Sequence, residues 1–441
     1  MSAGVPFLVC GLGRSGLAAA RLLCGEGHSV WAVDEGNSAQ ARRNGETLEA
    51  LGCCVQLGVA LPPEGAFGLA VISPGLDVNA PFISELKRRG IPLVSEMELG
   101  WSRFKGRTLA VTGSNGKSSV VKALAECFEA EGLCAVPCGN YGLPVCQAVL
   151  ETPDADWLVI EVSSFQLETC SAFRPDIGLL LNLLPNHLDR HGSMEVYGGL
   201  KAQLFAQQGP EDVALAPPGW RERQPSSSTG KGRWMTFGAG ADTDVRFEAG
   251  WLVESGGESI SIVGSYFDNE VLGPNAAGCW GAARAARVSP EAIQTALCRF
   301  APLPHRAQPL GEWGGVLYVD DSKATNLSAM LASIRMQSRP VWLIAGGRPK
   351  ETDFSAAVPL LKERVKGALL VGEAAPAMAA AWGEAIPCQI CGTLECAVKT
   401  AREQAKPQEV VLLAPACTSY DQFPSYIERG ASFQKFVSEK G

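Results

Sequence analysis

The chain reads as a series of short apolar runs, each ending in glycine or polar residues. FLVC (7–10) is followed by Gly11, Gly13 and Gly16, and LAAARLLCGEG then shows helical spacing up to Gly27. SVWAVD is a second β-rich run, ending at Asp34, and LAVISPG (69–75) is a third, closing on a Pro-Gly turn. Strand, helix, strand in this rhythm predicts βαβ units and a parallel sheet. A second block follows KRRGIPLVSEMELGW. In it RTLAVTG (107–113) is a strand, KSSVVKALAECFEAEG is an amphipathic helix ending at Gly132, ADWLVIEVSS (155–164) is a strand with an acidic residue at its end, and IGLLLNLL (177–184) is a further strand. The segment 217–245, rich in Pro, Ser and Gly, is expected to form surface loops. A third block opens near PLPHRAQ (302–308) and carries the runs GVLYVDDSKATN, RPVWLIAGG, GALLVGEAA and EVVLLAPACTS. Ligands of open α/β sheets sit outside the carboxyl ends of the strands, so the polar ends of these runs are site candidates.

Composition narrows the class. At roughly 150 residues per domain, 441 residues suggest three domains. The hydrophobic fraction of 46% and charged fraction of 19% are those of an ordinary globular protein. A net charge of −8 argues against a broad nucleic-acid footprint, while a local basic pocket for phosphate stays open. MSAGVPFLVCGLG has no basic leader or long apolar run, so no signal peptide is expected. No apolar stretch approaches the ~18 residues of a membrane span. The 15 cysteines are scattered, apart from Cys53-Cys54, which fits a reducing cytoplasm. Cys388-Gln-Ile-Cys391 is a lone C-x-x-C and reads as plain cysteines.

Chemistry gathers at a few points. Gly11-Leu-Gly13-Arg-Ser-Gly16 between a strand and a helix, with Asp34 ending the next strand, suits a diphosphate, whether of a dinucleotide or another nucleotide. Thr112-Gly-Ser-Asn-Gly-Lys-Ser-Ser119 also follows a strand and opens a helix. Lys117 can reach β- and γ-phosphates, and a following hydroxyl can hold Mg²⁺. Val111 stands where the longer P-loop pattern has glycine. Glu161 ends the next strand, where an acidic Mg²⁺ partner would sit. Asn186-His187-Leu-Asp189-Arg190-His191 holds two of only four histidines. Zinc is disfavoured there for want of a third ligand. One imidazole near a metal–phosphate site is preferred, and His191 reads as a solvated helix residue. Arg306 offers a planar fork for phosphate, and Asp320-Asp321-Ser322-Lys323-Ala-Thr325-Asn326 is too polar for a core.

TGSNGKSS, EVSSFQLE, NHLDRH, PHR, DDSKATN and APACTSYDQF occur in the order seen in Mur ligases, and the chain resembles that family from about residue 7 to 440. SSFQLE, DSKATN and PAC-x-S-x-DQF together resemble its glutamate-adding member. The resemblance implies an α/β fold of three domains: a Rossmann-like UDP-substrate domain (1–98), a central P-loop ATPase-type domain (99–301) and a Rossmann-like amino-acid domain (302–441). It implies a cytoplasmic, monomeric enzyme of peptidoglycan synthesis. Its substrates would be ATP, UDP-N-acetylmuramoyl-L-alanine and glutamate, D or L, joined through an acyl phosphate. Ser15, Asp34, Glu35, Ser73, Pro74, Gly75 and Asn140 would hold the UDP substrate. Gly113, Ser114, Asn115, Gly116, Lys117, Ser118 and Ser119 would cradle ATP, with Asn275, Arg306 and Asp321 as further contacts. Two Mg²⁺ sites are implied, one on Ser118 or Ser119 with Glu161, the other on His187 with Lys201, the lysine this family carries as a carbamate. Without the resemblance, Lys201 in GGLKAQLF reads as an ordinary helix-surface lysine. Lys323, Thr325, Lys350, Ser419, Tyr420 and Tyr426 would surround the incoming glutamate. Ser119, Asn186, Gln308, Tyr426 and the segment GPNAAGCW (273–280) depart from the family pattern. The rivals are an NAD-dependent oxidoreductase resting on Gly11–Asp34, a ligase for another amino acid, and a non-enzymatic nucleotide binder.

Overall fold

The computed structural model describes residues 4–350 and 353–439. The chain forms two compact units. One comprises the residues up to Leu183 with His187–Ser265 and Gly273–Arg299, and the other comprises Leu184–Asn186, Tyr266–Leu272 and Phe300 onward.

The first unit contains two sheets. Strands β1 (Phe7–Cys10), β2 (Val30–Asp34), β3 (Cys54–Leu57), β4 (Leu69–Ile72) and β5 (Leu93–Ser95) form a parallel sheet in the order β3-β2-β1-β4-β5. The order reverses between β1 and β4, which opens a crevice at the carboxyl end of β1, where the glycine turn lies. Buried Leu8, Val9, Ala32, Val33 and Val71 make these strands apolar on both faces, as expected for a sheet covered on each side by helices.

The second sheet consists of β6 (Arg107–Thr112), β7 (Ala135–Gly139), β8 (Trp157–Glu161), β9 (Ile177–Leu180), β10 (Val213–Ala216), β11 (Arg233–Gly238), β12 (Val245–Glu248), β13 (Trp251–Glu254) and β14 (Ser259–Ser261). Their order is β14-β13-β12-β11-β10-β9-β6-β8-β7, parallel from β7 to β12 and antiparallel at the β12–β13–β14 edge. β6 is an interior strand, between β8 and β9. The expectation of surface loops over 217–245 holds only in part. Arg233–Gly238 is a full strand, because Phe237 packs in the core and the run pairs with β10 in register. The apolar run 177–184 is a strand only to Leu180, after which Asn182 turns to other work.

The second unit carries β15 (Gln308–Trp313), β16 (Val316–Asp320), β17 (Val341–Gly346), β18 (Val365–Val371), β19 (Cys388–Gly392) and β20 (Val410–Leu413), in the order β15-β16-β20-β17-β18-β19. Only β15 is antiparallel. All fifteen cysteines are free thiols, including Cys388 and Cys391. Among the described residues no helix is long and apolar enough to cross a membrane.

Candidate functional site

The glycine turn after β1 is held from three sides. Gly11 has φ +87°, a conformation in which a side chain is strained, and a Cβ on Gly16 would come 1.8 Å from Gly11 O. Both Asp34 carboxylate oxygens accept backbone N–H bonds, Oδ2 from Leu12 (2.6 Å) and Oδ1 from Gly36 (2.7 Å). Ser73 Oγ donates to Gly11 O (2.9 Å), and Asn44 Nδ2 donates to Leu12 O (2.7 Å). Asp34 and Ser73 therefore build the loop, and each keeps further lone pairs toward a ligand. The helix Arg14–Gly25 starts at this turn, so its first N–H groups face the crevice. Ser15 and Pro74 are half-buried here, while Glu35 and Gly75 are exposed.

The phosphate loop follows β6 and opens the helix Lys117–Ala130. Val111 ends buried in the strand, and the turning is done by Gly113 (φ +146°) and Gly116 (φ +86°). Asn182, at the end of β9, fastens the loop. Its Oδ1 accepts from Ser114 N (3.1 Å) and Asn115 N (3.0 Å), and its Nδ2 donates to Asn115 O (3.0 Å). Asn275 presses against the loop so closely that a Cβ on Gly116 would sit 2.6 Å from its Nδ2. Lys117 Nζ lies 2.8 Å from Gly113 O and 3.0 Å from Ser114 O. The Ser118 and Ser119 hydroxyl groups belong to the buried first turn of the helix.

Two buried charges stand beside this loop. Glu161, at the end of β8, pairs across the sheet with Val111. Its Oε1 accepts from Asn140 Nδ2 (2.6 Å), while Oε2 is buried with no hydrogen-bond partner among the described residues. Lys201 is 1% exposed, which corrects the helix-surface reading. Its helix, Met194–Ala206, turns this residue inward, and Nζ donates to Gly113 O (3.0 Å) and Thr112 Oγ1 (3.2 Å). Burial pushes its ammonium well below the usual lysine range, and the Lys117 charge adds to this while Glu161 opposes it.

His191 is buried, not solvated. Its Nε2 lies 3.0 Å from Ser164 Oγ, and its ring stacks on both Phe165 and Tyr197. His187 has φ +54° at the start of the turn Leu188–His191 and meets Phe165 edge-on at 5.1 Å. Among the described residues no three His, Cys, Asp or Glu side chains gather as a metal cage. A cation here would need other oxygen donors: the serine hydroxyls, the spare Glu161 oxygen, or a Lys201 converted to an oxygen ligand. An orphaned buried carboxylate oxygen and a buried amine whose charge burial disfavours fit that requirement.

In the second unit, the ends of β16, β17 and β20 form a second polar cluster. His305 Nδ1 lies 2.7 Å from Asp320 Oδ2, and Gln308, at one of the positions that departs from the family pattern, accepts from His305 N (3.0 Å). Arg429 is buried. It donates from Nε to Ser322 Oγ (3.0 Å) and from Nη2 to Ser322 O (2.8 Å) and Cys417 O (3.1 Å), clamping two strand ends together. Burial pushes the Asp321 carboxyl up to about 6, with the Arg306 charge opposing. Lys323 Nζ sits 4.2 Å above the Tyr426 ring, Ser419 is buried, Thr325 is half-buried, and Lys350 and Tyr420 are exposed.

The structure thus gathers Gly113–Ser119, Glu161, Lys201, Asn140 and Asn275 in the first unit, and brings Lys323 to Tyr426 in the second. Sequence reasoning missed Asn182, Tyr197 and Arg429. Asn182 had a usable signal, a polar residue just past a buried strand. Arg429 had none, because its burial depends on contacts from distant segments.

A largely parallel sheet with an interior strand that runs into a glycine phosphate loop, and a carboxylate ending the neighbouring strand, defines an α/β nucleotide-binding protein. Residues 111–269 match the model of the Mur ligase middle domain, and residues 305–417 match that of the Mur ligase, glutamate ligase domain. A UDP-N-acetylmuramoylalanine--D-glutamate ligase of Nitratidesulfovibrio vulgaris is 38% identical over 433 residues, covering 98% of this chain and 95% of that one. One of Acidobacterium capsulatum is 36% identical over 448 residues, covering 98% and 96%. The fold is shared with the MurF ligase of Thermotoga maritima in complex with ADP, at TM-score 0.61 and 17% identity over 93% of this chain and 95% of that one. The chain belongs to the Mur ligase family, the ATP-dependent ligases that join an acid to an amino acid.

Proposed function

We propose that this protein couples D-glutamate to UDP-N-acetylmuramoyl-L-alanine at the expense of ATP, in peptidoglycan synthesis. The reading rests on one arrangement: a buried Lys201, whose charge burial disfavours, and an orphaned Glu161 oxygen beside an intact phosphate loop. A dinucleotide dehydrogenase built on Gly11–Asp34 has no use for either. The relatives named above supply the substrates, and the two polar clusters supply groups suited to phosphate and carboxylate.

A carboxylate is a poor electrophile. Its oxygen attacks the γ-phosphorus of ATP, the bond to the β-phosphate oxygen breaks, and ADP departs. The glutamate amine then attacks the acyl carbon and loses a proton, and phosphate leaves as the amide forms. The protein's part is positioning and charge neutralisation. The loop amides of Gly113–Ser119 cradle the phosphates at a helix N-terminus, and Lys117 offsets charge on them. Asn182 and Asn275 hold the loop in shape. Ser15, Asp34, Glu35, Ser73, Pro74 and Gly75 are proposed to orient the UDP end, and Asn140 a part further along the substrate. Arg306 and Asp321 are proposed as further ATP contacts. Lys323, Thr325, Lys350, Ser419, Tyr420 and Tyr426 are proposed around glutamate. Mg²⁺ bound by Ser118 or Ser119 with Glu161, and by His187 with a carbamoylated Lys201, would screen phosphate charge. The functional division follows the three sheets, as 1–98, 99–301 and 302–441, and the enzyme acts as a cytoplasmic monomer.

The experiment is phosphate release from ATP, which should require both UDP-N-acetylmuramoyl-L-alanine and glutamate and should vanish in Lys117→Ala. Release that needs neither acceptor, or that survives in Lys117→Ala at a near-normal rate, contradicts the reading.

A further inference from the structure

We infer that His191 is a positioning residue, a buried ring that holds the aromatic contacts behind both the His187 turn and the phosphate loop on which the Lys201 ammonium rests. The inference rests on the ligase reading above and extends it to a side chain with no assigned part.

The geometry is continuous and lies wholly within the first unit. The His191 ring stacks on Phe165, with centroids 5.2 Å apart, and Phe165 in turn meets His187 edge-on at 5.1 Å. It also stacks on Tyr197, with centroids 5.4 Å apart. The Tyr197 hydroxyl is 3.2 Å from Ser114 Oγ in the phosphate loop, and Lys201 Nζ lies 4.7 Å from the Tyr197 ring centre. A single imidazole therefore contacts both aromatic rings that border the proposed cation ligands.

The ring is itself pinned. Nε2 lies 3.0 Å from Ser164 Oγ, and Nδ1 lies 3.6 Å from Glu168 Oε1. Glu168 is fixed through its other oxygen by Arg190 Nη2 (2.9 Å), and the Arg190 guanidinium lies over the Phe165 ring, 5.1 Å from its centre. His187 holds a left-handed backbone conformation that a non-glycine residue does not prefer, so the turn after it needs an outside constraint. Arg190 and His191, at the end of that turn, supply it. Groups that orient metal ligands from behind typically change metal affinity or activity by about 10–100-fold when altered.

The test uses the full chain and three variants, His191→Ala, His191→Phe and Glu168→Gln. Mn²⁺ binding is titrated by electron paramagnetic resonance in the presence of a non-hydrolysable ATP analogue. Binding of UDP-N-acetylmuramoyl-L-alanine is titrated separately by calorimetry without metal. His191→Ala should weaken Mn²⁺ binding about tenfold or more and leave the UDP substrate within about twofold. His191→Phe, which keeps the stacked ring, should recover most of the loss and shows that the effect is not misfolding. Glu168→Gln, which loosens the ring without removing it, should fall between wild type and His191→Ala. Unchanged Mn²⁺ binding in His191→Ala overturns the inference, as does equal weakening of metal and UDP-substrate binding. Wild-type protein that binds neither Mn²⁺ nor the UDP substrate contradicts the ligase reading instead.

Discussion

Glu96 is 2% exposed, on the helix Glu96–Trp101 that leads from the first sheet into the second. Its Oε1 accepts from Cys146 N at 2.7 Å, so a carboxylate caps the start of the helix Val145–Glu151, which follows the loop bearing Asn140. Burial raises its pKa from the ordinary 4.5 to about 7, with the Cys146 and Val145 amides opposing. The folded state therefore holds this proton more tightly than the unfolded state. The stabilisation is fully present below pH 4.5 and is lost as pH rises through 7. At about 1.4 kcal/mol per pH unit, the loss between pH 5 and 8 amounts to about 2.5 kcal/mol. Glu96→Gln keeps an oxygen for Cys146 and cannot ionise, so it lacks this pH dependence. Thermal unfolding followed by tryptophan fluorescence should show Glu96→Gln gaining on wild type by roughly 5 °C between pH 5 and pH 8. A difference between the two proteins that stays the same at both pH values refutes the assignment of a proton to buried Glu96.

Further outcomes follow from the sites themselves. Lys201→Ala should be inactive in phosphate release and partly rescued by short carboxylates that replace a carbamate, whereas full activity without rescue refutes the ligand role. Asp34→Ala strips the acceptors of Leu12 N and Gly36 N, so UDP-substrate affinity measured by calorimetry should drop about tenfold, in line with the 1–3 kcal/mol cost of an unsatisfied buried donor. ATP-analogue affinity should hold, and an isolated ATP defect would overturn the assignment. Gly16→Ala forces a methyl group into Gly11 O and should abolish UDP-substrate binding while sparing the ATP analogue, so unchanged binding of the UDP substrate would show that the turn is not part of that site.

The sheets and both glycine loops were legible in the sequence because their causes are local: an apolar run, a positive-φ glycine, a helix with its first N–H groups free. Val111 is one case, since its place at the strand end was readable from VTG alone. Lys201 and His191 read as surface residues from their immediate neighbours because Thr112 and Gly113, which hold the one, and Phe165, which covers the other, lie far along the chain. Strand β11 was hidden by its Gly- and Ser-rich flanks, and its pairing with β10 outweighs that local composition. Short β3, Cys54–Leu57, carried too few residues for a pattern and is a strand because β2 pairs with it.

The central claim is that the γ-phosphate of ATP is spent on joining D-glutamate to a UDP-linked muramoyl-alanine. The direct measurement is product mass and phosphate release with UDP-N-acetylmuramoyl-L-alanine, ATP and either D- or L-glutamate. The account predicts one phosphate released per amide formed with D-glutamate and neither product with L-glutamate. Amide formation with L-glutamate alone, or phosphate release with no amide, would contradict it.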